Sequence, residues 1–121
     1  MKIVNSKIHG LIDYAFIGLL CLAPMIFGLE EKAFMFSNIL GSIHLILTIF
    51  TNFEFGLFRF IPFKIHGLVG LIVPFLLIGV AIYLAYVEND FSRNYFFGVA
   101  VAVFATWIFT DYKSFNDNKN Y

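Results

Sequence analysis

The sequence predicts an all-α polytopic membrane protein, four transmembrane helices in an up-down-up-down bundle made of two parallel two-helix repeats. Three observations carry that expectation. Long apolar stretches alternate with short polar connections. The composition is 60% hydrophobic and only 13% charged, where soluble domains carry about a quarter charged residues. A histidine-glycine segment opens both the first and the third apolar stretch.

The whole chain, 1–121, reads as a single transmembrane domain with spans at about 8–29, 33–53, 65–87 and 93–111. The first stretch is interrupted only by His9 and Asp13 near its start. The second contains no formal charge and a single histidine, His44; the third has no formal charge; the fourth is shorter and reaches outward through Arg93. Each comes close to the roughly 20 residues that a helix needs to cross a ~30 Å hydrocarbon core. Helices are required because backbone donors and acceptors in lipid must be satisfied within the segment, and the runs are too long for barrel strands. The connections Glu30–Lys32, Glu54–Lys64 and Glu88–Asn94 are short, so consecutive helices are expected as antiparallel neighbours.

Charge sets the expected orientation. With an even number of spans, Lys2, Lys7, Arg59, Lys64, Lys113 and Lys119 fall on one side, and only Lys32 and Arg93 on the other. The positive-inside rule then places both termini in the cytoplasm of a bacterial inner membrane. Lys2 and Lys7 ahead of an apolar run imitate a signal peptide, but Ala23-Pro24-Met25 is a poor cleavage site, and the first span is expected to stay. Cys21 lacks the small preceding residues of a lipidation site and reads as a small buried hydrophobe. The polar tail from Lys113 to Tyr121 is expected to fray.

Lys7-Ile8-His9-Gly10-Leu11 recurs as Lys64-Ile65-His66-Gly67-Leu68, and Thr51-Asn52-Phe53-Glu54 is echoed by Thr110-Asp111-Tyr112-Lys113. The repeats therefore run from about 7 to 56 and from about 64 to 113. A two-span unit keeps its orientation, which implies a pseudo-twofold axis along the membrane normal.

Further residues extend the pattern: His9-Gly10-x-x-Asp13-Tyr14, Ala23-Pro24-Met25-Ile26-Phe27-Gly28, Thr51-x-Phe53-Glu54-x-Gly56, Arg59-x-Ile61-Pro62 and His66. Together they resemble the SPW-repeat family of small bacterial membrane proteins, over Lys7 to Tyr112. Met25 stands in place of that family's tryptophan, Gly70 in place of an aspartate, and no second Pro-Trp occurs near Val80. The resemblance implies the fold and the membrane location and carries no activity.

His9 and Asp13 are four residues apart, on one helical face, where imidazole and carboxylate can pair. The bland account keeps both hydrated at the headgroups. The sharper one brings His66 to a depth equal to that of His9 and makes His9, Asp13 and His66 a candidate polar cluster. One carboxylate between two imidazoles favours a protonated histidine, so an internal ion pair or a bound anionic headgroup is expected rather than a metal. His44, the second candidate, is placed roughly 14 Å deeper than the end of its span at 1.5 Å per residue, and is expected to bond a neighbouring helix instead of joining that cluster. Gly67, Gly70, Gly98, Ala102 and Ala105 are read as sites of close helix approach.

No Walker loop, nucleophile elbow, HExxH helix or paired-cysteine site occurs, so no catalytic residue is assigned. Zero net charge argues against nucleic acid. The reading preferred on sequence is a non-catalytic structural or accessory membrane subunit, with membrane lipid and a homo-oligomer or larger membrane complex as partners and no cofactor expected. The alternatives are a haem-binding or redox subunit using His9 and His66, and an oligomeric channel or carrier.

Overall fold

The computed structural model describes residues 2–113 and 115. Four helices dominate it: α1 Ser6–Phe27, α2 Glu31–Ile49, α3 Phe63–Val87 and α4 Asp90–Phe109. All four are long and apolar enough to cross a membrane. Two short strands, β1 Thr51–Asn52 and β2 Ile61–Pro62, pair in parallel between α2 and α3.

Local chemistry sets the helix ends. The Asn5 side chain accepts the Ile8 N–H at 2.9 Å and starts α1, as an N-cap does for otherwise orphaned donors. Gly28 ends α1 with φ 63°, a left-handed conformation that costs glycine nothing. Glu30 gives α2 no side-chain cap. Instead the Glu88 carboxylate, just past α3, accepts the N–H groups of Lys32 and Ala33 and supplies the negative charge favoured at a helix N-terminus. Asn89 caps α4 by accepting the Ser92 N–H at 2.7 Å.

α2 ends at Ile49, four residues short of the expected boundary, because Thr51 and Asn52 extend to pair with Ile61 and Pro62. A second parallel bridge joins Val4 to Thr110, with the Val4 N–H on the Phe109 carbonyl at 2.9 Å and the Asp111 N–H on the Val4 carbonyl at 2.8 Å. The segments leading into α1 and α3 are thus pinned to those leaving α4 and α2. These bridges give ladder partners to backbone groups that leave their helices, as burial away from water demands.

α1 packs on α2 and α3 on α4, while α2 and α3 touch only sparingly. Gly41 lets α1 and α2 close up, since a Cβ there would meet Cys21 Sγ at 3.0 Å. Gly98 faces open space and is no such site, and Gly67 and Gly70 lie against Tyr112 rather than a helix backbone. Leu20, Ala33, Leu77, Ala81, Leu84, Phe96 and Ala100 form the apolar core. Ser37 ties three helices, its hydroxyl lying 2.6 Å from the Leu20 carbonyl and 2.8 Å from the Tyr95 hydroxyl. Large apolar side chains such as Leu22, Ile26, Ile46, Phe75 and Val101 point outward, the pattern of a protein whose solvent is hydrocarbon.

Candidate metal centre

His9 and Asp13 lie in the first two turns of α1 and His66 in the first turn of α3, all three buried. His9 Nε2 and His66 Nε2 lie 3.2 and 3.1 Å from the same oxygen, Asp13 Oδ2. One donor atom from each residue falls within 4.8 Å of the others, so the group could hold a metal ion.

His44 also reaches the cluster. Its Nε2 lies 3.2 Å from Asp13 Oδ1, within a hydrogen bond. The expectation that it sits too deep fails because α2 stops at Ile49 rather than at residue 53. His44 is therefore about 7.5 Å from its helix end, and Asp13 about 10 Å from the start of α1, at 1.5 Å per residue.

Two threonines decide the proton positions. The Thr51 hydroxyl donates to the Leu47 carbonyl at 2.6 Å and the Thr110 hydroxyl to the Thr106 carbonyl at 2.5 Å. A hydroxyl has one proton to give, so each threonine oxygen is left as an acceptor. His66 Nδ1 lies 2.8 Å from Thr51 Oγ1 and His9 Nδ1 lies 2.9 Å from Thr110 Oγ1. Both Nδ1 atoms must therefore carry the proton, and in the neutral imidazole each Nε2 presents a bare lone pair to Asp13. Such outer hydrogen bonds are what fixes the tautomer of a metal-ligating histidine. His9 Nε2 and Asp13 Oδ2 are buried and satisfy no hydrogen bond despite their separation. Asp13 Oδ1, by contrast, is held by His44.

Aromatic rings close the cluster. Phe63 lies edge-on to His9 at 5.5 Å and stacks on Phe53 at 5.7 Å. Tyr112 packs on His9 at 5.4 Å and on Phe63 at 5.0 Å. The glycine after each histidine makes room: a Cβ at Gly10 would meet Phe53 at 2.6 Å, and one at Gly67 would meet Tyr112 at 2.7 Å. Burial, then the Asp13 charge, push the Tyr112 phenol above its ordinary range, against a hydrogen bond with Thr110 that acts the other way. On its inner side the cluster opens into a cavity of about 650 Å³, mouth included, with Phe16, Leu20, Leu40, Val73 and Val103 in its walls.

The residues that sequence reasoning passed over are Thr51, Thr110 and Tyr112. The recurring Thr-x-aromatic segment marked them, but their partners are 15 and 101 residues away along the chain. Searches of family models, curated proteins and solved structures find no match.

Proposed function

We propose that this chain is a metal-binding integral membrane protein, holding one divalent transition-metal ion through His9 Nε2, His66 Nε2 and Asp13 Oδ2. The observation that carries the reading is the threonine-fixed tautomer. The Nε2 atoms of His9 and His66 both lie within 3.2 Å of the buried Asp13 Oδ2, and His9 Nε2 and Asp13 Oδ2 have no hydrogen-bond partner; with both rings neutral these atoms repel unless a cation lies among them. Separations of 3.1 and 3.2 Å are close to the ~3.4 Å edge of a tetrahedron with metal–ligand bonds of about 2.1 Å. Imidazole and carboxylate together suit zinc or ferrous iron, and two histidines with one carboxylate leave coordination positions open. His44 acts from outside, orienting the carboxylate through Oδ1.

A haem between His9 and His66 fits less well. The Asp13 carboxylate lies within 3.2 Å of both Nε2 atoms, where the macrocycle would have to pass. A purely structural ion pair would need both imidazoles charged against one carboxylate.

The bundle is proposed to run up-down-up-down as two parallel repeats, like the SPW-repeat family it resembles. The paired bridges support this, Val4 with Thr110 and Ile61 with Thr51, as do the paired bonds of Thr110 to His9 and Thr51 to His66. A bacterial inner membrane with cytoplasmic termini follows from the basic residues and would put the metal near the cytoplasmic face.

Metal analysis of tag-free protein tests the reading. Roughly one ion per chain is expected, with loss in Asp13→Asn and His66→Gln, since a site of this kind cannot spare one of three ligands. A wild-type protein that carries no ion and takes up neither zinc nor ferrous iron contradicts it.

A further inference from the structure

The cavity beside the cluster is polar at one end and apolar elsewhere. His9, Asp13, His44, His66 and Tyr112 form the polar end, and the rest of the wall is apolar but for Thr106 and Gly70. The Thr106 hydroxyl is already committed to the Ala102 carbonyl at 2.8 Å, so the deeper wall offers a ligand no free donor. Its lining residues on α1, from His9 to Leu20, span about 16 Å at 1.5 Å per residue. It lies where the two helix pairs meet, α1 with α2 on one side and α3 with α4 on the other, and the helices touch sparsely across that seam. A chain arriving from the bilayer would come in through that seam.

Charge chooses the head of such a ligand. A dication against the single Asp13 carboxylate leaves net positive charge in a low-dielectric site, and an anionic oxygen ligand at an open coordination position compensates it.

We propose that the cavity binds a long-chain fatty acid, its carboxylate on the open position of the metal and its hydrocarbon chain among Phe16, Leu20, Val73 and Val103. The proposal rests on the metal reading above. It names a single-chain carboxylate because the cavity wall is apolar away from the cluster and the proposed metal puts its cationic charge at the cluster end.

A photoactivatable diazirine palmitate tests it on zinc-loaded full-length protein in phosphatidylcholine nanodiscs, with zinc measured in the same sample. Labelling is expected on peptides carrying Phe16 to Leu20 and Val69 to Val73. Excess palmitate should compete, while methyl palmitate, which lacks the charge, should compete at least about tenfold less well, the scale of one lost charge-assisted contact. Chelating the zinc should reduce labelling by a similar factor, and Val73→Trp should abolish it with the zinc retained. Where Val73→Trp fails to fold, the comparison of palmitate with its methyl ester in wild type still decides. Zinc present with no cavity labelling, or with equal competition by acid and ester, overturns the proposal and leaves the metal reading standing. Labelling undiminished by chelation overturns the anchoring by metal. A protein that takes up neither zinc nor ferrous iron overturns both.

Discussion

Asp13 is the one carboxylate buried inside the helices among the described residues, and an ionised group there costs several kcal/mol unless it is compensated. Its Oδ1 has His44 and its Oδ2 faces two imidazole nitrogens. What those nitrogens offer is settled one bond further out, by Thr51 and Thr110. Thr51→Val and Thr110→Val keep the shape of the side chain and remove the acceptor, freeing each ring to rotate or change tautomer. Each should weaken zinc binding about 10- to 100-fold, the usual cost of losing an outer partner, read by competition with a chromogenic chelator. Thr→Ser at either position should restore most of the affinity. Affinity equal to wild type in both valine variants would remove the tautomer argument. Metal binding should also weaken on acidification, because both imidazoles must be neutral to ligate.

At the scale of the elements, Glu88 shows how a residue at one helix end can hold the start of another. Its carboxylate accepts from Lys32 and Ala33 at the start of α2 and from the Ser92 hydroxyl at 3.1 Å in α4. Glu88→Gln keeps the shape and removes the charge, and should lower stability by about 1 kcal/mol, measured as a shift in thermal unfolding in mild detergent with metal content unchanged. An unaltered transition would mean that α2 is held by packing alone. The four helices were legible because lipid demands uninterrupted apolar length, and His9 and His66 stood out because the Lys-Ile-His-Gly-Leu segment recurs in the sequence. The depth of His44 was not. Apolarity continues through Phe50 and Phe53, whereas the helix stops where Thr51 finds a strand partner at Ile61. A pairing across the loop leaves no mark in hydropathy. Thr110 and His9 come from opposite ends of the described chain, so their hydrogen bond has no local signal either.

Across the whole molecule, polarity is turned inward and concentrated. Large apolar side chains cover the outside, a tight apolar core fills the region around Leu20, Leu84 and Phe96, and the cluster lies at the ends of α1 and α3 that begin near Val4 and Ile61. The proposed orientation puts that cluster toward the cytoplasm. Alkaline phosphatase fused after Glu88 should be active and at Tyr121 inactive; the reverse pattern would place the site on the outer face.

The central claim is that His9, His66 and Asp13 ligate one ion at a single point. Zinc-edge X-ray absorption on tag-free protein in nanodiscs measures this most directly. The account predicts a first shell of nitrogen and oxygen at about 2.0–2.2 Å, with outer-shell scattering from two imidazoles that falls to one in His66→Gln. A shell of oxygen alone, with no imidazole scattering and no change in His66→Gln, would contradict it.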